Sequence, residues 1–229
     1  MAQPRTLRVG ESLIADRRIQ GFNQMRAKVP GILKNDIGNL EQREVMEVAY
    51  YQALIPAFLL ANESEILGKL TRAHGFLLEH QQRNAWLEQV QIMRRAVRNN
   101  KIGHILFEFA IPRMGKRADV VLVIGGTILV LEFKVGATTF DRSAIEQAHD
   151  YALDLKNFHR GSHSLSIVPI VVGTCAKPQG TQELQWASDM VAAPLLANAD
   201  ELQQIINHSI KGKRSTRGQS VATGPTQTG

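Results

Sequence analysis

The chain has 229 residues, 44% of them hydrophobic, which is enough for one large domain or for one domain with a helical extension. Its single cysteine, Cys175, excludes an intrachain disulfide and a thiolate metal cluster. The net charge of +6 suggests an anionic partner, but Lys211, Lys213, Arg214 and Arg217 supply four of those charges in a segment without acids, so basicity alone does not argue for nucleic acid.

The first residues, "MAQPRTLRVGESLIADRR", are too polar for a signal peptide. The longest apolar run is broken by Gly125-Gly126 and too short to span a bilayer. A cytoplasmic protein is therefore expected. Residues 12 to about 98 have helical texture, and residues 1–78 are expected to form a helical extension ahead of a core at 79–210. In "NLEQREVMEVAYYQALIPAFLLA", Leu40, Val45, Val48, Ala49, Gln52 and Leu54 lie near helical spacing, with Pro56 as a break or kink. "RNAWLEQVQIMRRAVRNN" repeats Trp86, Val90, Met93 and Val97 at intervals of three and four, which predicts a helix with a core-facing stripe.

The texture then changes to strand. "HILFEFAIP" reads as a first strand, Arg117–Ile124 as a second and Thr127–Val135 as a third. "TFDRSAIEQAHDYALDLKNFH" returns to helix, with Ser143 and Glu146 at capping-box spacing. "SLSIVPIVVGT" predicts a strand buried on both faces, and Cys175 after it is expected to be a small core residue. A last helix is expected from about Asp200 to Ile210, followed by a basic, Gly- and Thr-rich tail or linker over 211–229. The two apolar faces of the hairpin call for helices on both sides of the sheet.

The hairpin "RADVVLVIGGTILVLEFKV" carries the chemical signal. A two-residue loop at Gly125-Gly126 sets Ile124 against Thr127 and, counting outward, Asp119 against Glu132. Opposed residues share a face with Cβ atoms ~5 Å apart, and Lys134, two residues on, shares it too. Two carboxylates at the end of an apolar ladder repel each other and lose solvation. One reading is a hairpin end that emerges into solvent, where Lys134 pairs with the acids. The sharper reading is a hard divalent cation, Mg²⁺ or Mn²⁺, between Asp119 and Glu132, with a nearby carbonyl and waters completing its shell. Lys134 beside it suits phosphodiester hydrolysis.

Asp119 and the Glu132-Phe133-Lys134 triplet resemble the Asp…Glu-x-Lys core of the PD-(D/E)XK nuclease superfamily. Gln147 and Tyr151, four apart on the next helix, resemble the Gln-x-x-x-Tyr motif of its RecB-like branch. The proline of the family name is replaced here by Ala118. The resemblance implies a restriction-endonuclease-like α/β fold, a mixed sheet with an α-β-β-β-α-β core flanked by helices. It implies metal binding by Asp119, Glu132 and the Phe133 carbonyl, a catalytic Lys134, and support from Gln147 and Tyr151. A further acid is usual in the family; Glu88 and Glu108 are both candidates, Glu108 the better because alternation between Phe107 and Phe109 points it to one face. More widely, residues 10–210 look like the nuclease part of bacterial nuclease–helicase fusions whose helicase half is Schlafen-type. That implies nucleic acid, DNA before RNA, and a helicase domain or subunit as partners. The rival readings are a non-catalytic nucleic-acid-binding or regulatory domain of such a helicase, and a scaffold with a solvated hairpin end. The closing "GPTQTG" lacks the Lys-Ser/Thr of a phosphate-binding loop, so no nucleotide site is expected there.

Overall fold

A computed structural model of the chain describes residues 48–74 and 80–212. Its centre is the hairpin of β3 (Arg117–Ile124) and β4 (Thr127–Lys134). Gly125 and Gly126 turn between them at φ 59° and 87°, the two left-handed residues that a type I′ turn requires. The observed pairs are Ile124 with Thr127, Val123 with Ile128, and onward to Val120 with Leu131, the register expected from the turn. Strand β2 (His104–Ala110) lies antiparallel on the other side of β3.

Strand β1 (Ala49–Leu54) lies antiparallel outside β2. β5 (Ser166–Gly173) and β6 (Leu195–Ala197) run parallel to β4 at the far side. The result is a mixed six-stranded sheet in the order β1-β2-β3-β4-β5-β6. Every residue of β5 is buried, as its continuous hydrophobicity predicts. Pro169 is tolerated there because the ladder toward β6 is interrupted between the Ile167–Val191 bridge and the Ile170–Leu195 pair. At the short edge β6, the Gln182 side-chain amide donates to the Leu196 carbonyl and accepts from its N–H, standing in for a further strand.

Helices cover both faces. On one side α1 (Ile55–Leu60), α2 (Glu63–His74), α3 (His80–Val97) and α5 (Leu202–Lys211) enclose Phe58, Leu70, Trp86, Met93, Ile206 and the sheet residues Phe107, Val120, Leu122 and Leu131. On the other, α4 (Arg142–Phe158) packs Tyr151, Ala152 and Leu155 on Leu106, Val121, Ile128 and Val130. The predicted stripe of α3 is fully buried at Trp86, Val90, Met93 and Val97.

Several local features differ from the expectation. Ala49–Leu54 is strand, not helix: its apolar residues fit either period over so short a run, and pairing with β2 decides for strand. Pro56 opens α1 at the first turn, where its missing N–H costs nothing. The described part of the expected 1–78 helical extension is thus β1, α1 and α2, and it shares one core with the rest of the sheet. The capping box does not form, because α4 starts at Arg142 and leaves Ser143 inside the first turn; Glu146 bonds Arg142 Nε at 2.7 Å instead. Cys175 is exposed, since β5 ends at Gly173 and the following turn buries Ala176 in its place. The helix expected within residues 12–47 and the tail or linker expected from 213 onward lie outside the described residues.

The start of β2 depends on Gly103, at φ 127°, where a Cβ would stand 2.8 Å from both the Val123 carbonyl oxygen and Ile124 Cγ1. Gly103→Ala is therefore expected to destabilise the fold by about 2 kcal/mol or more, read as a lowered urea midpoint with an unchanged slope.

Candidate active site

The β3–β4 ladder ends at Val120 and Leu131, and the next positions in that register, which are not themselves paired, are Asp119 and Glu132. Beyond that point the strands part. The Phe133 N–H, which would otherwise continue the ladder, donates to Asp119 Oδ2 at 2.6 Å. In extended backbone the N–H and C=O of one residue point to the same neighbour, so the Phe133 carbonyl faces the β3 side, past the last pair. Its ring is buried in the core under α3.

Glu132 is 5% exposed. Its Oε1 accepts from Lys134 Nζ at 2.9 Å, while Oε2 is buried with no hydrogen-bond partner. Lys134 is about a third exposed and reaches back along its own strand to the acid. On α4, Gln147 Nε2 donates to Tyr151 Oη at 2.7 Å, so the two share a helix face as their spacing predicts. The Gln147 amide is engaged with Tyr151, and Lys134 with Glu132.

Glu108 stands abreast of Asp119, since β2 and β3 pair Phe107 with Val120 and Phe109 with Ala118. The expected alternation fails there. Glu108 has φ 53°, a left-handed conformation that costs a non-glycine residue of order 1 kcal/mol, and the flanking aromatics separate: Phe107 packs under α3 and Phe109 under α4. Glu108 Oε1 accepts from the Trp86 indole Nε1 at 2.7 Å, and its backbone carbonyl accepts from Arg117 Nη1 at 2.5 Å. The three acids thus occupy one row across β2, β3 and β4. Glu88 is half-buried on α3 and is not among the charges that shift the carboxyls of the row.

Electrostatics mark the row as one unit. Burial holds the half-buried Asp119 carboxyl well above the usual carboxylate range, and the Glu132 and Glu108 charges push it further; the Phe133 N–H and Lys134 oppose this. Burial also raises Glu132, against the Lys134 hydrogen bond and the Lys134 and Lys116 charges, with Glu108 adding to the rise. Glu108 is raised by burial against the Trp86 bond, Arg117 and His74. Burial raises the Tyr151 hydroxyl, with a smaller push from all three acids. Asp119, Glu132, Glu108 and Tyr151 thus lie within electrostatic reach of one another at this sheet end, with Lys134 bonded to Glu132 and Gln147 to Tyr151.

The donor set suits a small hard cation. Among the described residues no three His, Cys, Asp or Glu side chains form a ready metal cage. Two opposed carboxylates, one with an oxygen left unpaired, match an ion that takes one or two carboxylates and keeps its waters. Trp86 escapes sequence reasoning as a site residue because its stripe position marks it only as core. The available signal is that a buried indole N–H needs an acceptor. A cleft of about 720 Å³ between α2 and α3, lined by Asn62, Ser64, Leu67, Arg83 and Leu87, touches none of these acids.

No protein-family model matches the chain, and no curated protein or solved structure matches it either.

The raised acids make stability depend on pH in a stated direction. A carboxyl whose folded value lies above its unfolded one stabilises the fold while protonated, and that contribution is lost as pH rises through the folded value. Asp119→Asn cannot ionise. In EDTA its melting temperature relative to wild type should therefore climb as pH rises from the ordinary carboxylate range through the raised value. The gain is up to about 1.4 kcal/mol per pH unit over that window. A flat difference across it would show that Asp119 is not held neutral.

Proposed function

We propose that the protein is a divalent-metal-dependent nuclease with a restriction-endonuclease-like core, hydrolysing phosphodiester bonds in DNA, with RNA the second choice. The observation that carries this reading is the buried Glu132, with Oε2 unpaired and the Lys134 ammonium on Oε1, next to an Asp119 that accepts from the adjoining Phe133 N–H. The mixed α/β sheet with helices on both faces is compatible with the superfamily that the Asp…Glu-x-Lys triplet resembles. A helicase domain or subunit as partner and a cytoplasmic setting belong to the same proposal and rest on the resemblance. Among the described residues no helix is long and apolar enough to cross a membrane.

In this reading Asp119 and Glu132 would hold Mg²⁺ or Mn²⁺, with the Phe133 carbonyl as a further donor. The cation supplies positive charge to the phosphate and acidifies water near it. Lys134, which donates to Glu132 Oε1, is placed to orient a water beside the phosphate and to stabilise the negative charge that develops on it. Gln147 and Tyr151, bonded to each other on α4, stand near enough to the carboxylates for the acids to act on the Tyr151 hydroxyl. A pure binding surface gains nothing from three carboxylates facing phosphate, which weighs against a non-catalytic domain.

The test is cleavage of labelled single- and double-stranded DNA and RNA with Mg²⁺, with Mn²⁺ and with EDTA. Cleavage should require the metal. Lys134→Ala should keep its melting temperature and lose rate by ~100-fold or more, the scale of a lost charge partner in the transition state. Binding without cleavage on all four substrates would favour the regulatory domain instead.

A further inference from the structure

We propose that Trp86 is a positioning residue of this site: its indole N–H holds the Glu108 carboxylate abreast of Asp119, where its charge adds to the field that draws a cation to the Asp119 and Glu132 carboxylates. This rests on the metal-nuclease reading and adds to it a residue outside the acid–lysine set.

Glu108 has lost the contacts that usually place a strand residue. The β1–β2 ladder passes from Tyr51–Phe107 to Ala49–Phe109, and the β2–β3 ladder from Phe107–Val120 to Phe109–Ala118, so neither pairs Glu108. At φ 53° its backbone is turned out of the pleat. Two contacts replace the ladders, Arg117 on the backbone carbonyl and Trp86 on the carboxylate. These contacts close into a ring. Arg117 lies 4.1 Å over the Tyr50 ring, Tyr50 meets Trp86 edge-on at 6.5 Å, and His74 meets Trp86 edge-on at 5.8 Å. Trp86 itself is fully buried on α3, so its donor cannot wander.

The chemistry of the donor matters. Asp119 and Glu132 repel Glu108, and a free glutamate would swing away from them. An arginine or lysine in place of Trp86 would hold the acid but neutralise it. An indole N–H holds it with a neutral donor and leaves the negative charge available to a cation.

The experiment measures Mn²⁺ affinity by calorimetry on the full chain for wild type, Trp86→Phe, Glu108→Ala and the double variant. Trp86→Phe keeps an aromatic ring and removes the donor; its affinity should fall about tenfold. In the Glu108→Ala background the same change should have no further effect, a result that loss of packing alone would not give. Wild-type affinity in Trp86→Phe, or an equal loss in both backgrounds, would overturn the role of Trp86 and leave the metal reading standing. Absence of Mn²⁺ binding in wild type would overturn both. If Trp86→Phe does not fold, Trp186→Phe leaves Trp86 as the only tryptophan. Its emission should then shift on saturation with Mg²⁺, and not when Glu108→Ala is added. An unresponsive Trp86 emission would overturn the proposal.

Discussion

The register of the β3–β4 hairpin is the constraint on which the site depends. Gly125 and Gly126, both left-handed, close the turn in two residues, and every later pair follows by counting. A slip of one residue on either strand would send Asp119 and Glu132 to opposite faces, because side chains alternate with period two. The apolar ladder from Ile124–Thr127 to Val120–Leu131 resists such a slip, since it would also exchange residues between two differently shaped cores. The glycine turn at one end of the hairpin thus determines the chemistry at the other, five pairs away.

The same constraint costs stability. Opposed acids inside a sheet are a poor way to build a hairpin end, and only part of the conflict is relieved. The Phe133 N–H serves Asp119 and the Lys134 ammonium serves Glu132, but Glu132 Oε2 stays unpaired. Glu132 Oε2 is one of eight buried side-chain atoms without a hydrogen-bond partner among the described residues; it differs from the others in being a carboxylate oxygen whose neighbours include two further acids. In the proposed reading a cation would relieve both the repulsion and the unpaired oxygen with one charge.

Position in the fold explains how so many polar groups fit together. The sheet end lies between two cores, with α3 on one side and α4 on the other. From α3 comes Trp86, which holds Glu108; from α4 come Gln147 and Tyr151, which cover the opposite side. Because Glu108 breaks the pleat, a single row of carboxylates is in contact with both layers. Neither layer alone surrounds the site.

Features set by neighbours in the chain were legible in the sequence. The hairpin register follows from a two-residue turn, the α3 stripe from a 3.6-residue period, the Gln147–Tyr151 pair from a spacing of four, and the buried β5 from its unbroken hydrophobicity. Each is a local rule, so Asp119, Glu132 and Lys134 could be brought together by counting. Features set by distant partners were not legible. Ala49–Leu54 fits a helix or a strand until β2 lies beside it, and Cys175 fits a core until the turn after β5 takes Ala176 inward. Glu108 follows alternation until Trp86, twenty-two residues earlier, and Arg117 turn it. Sequence determined which residues face one another along one hairpin; tertiary structure decided which side chains enter from other elements, because those contacts depend on packing between segments whose separation no local period records.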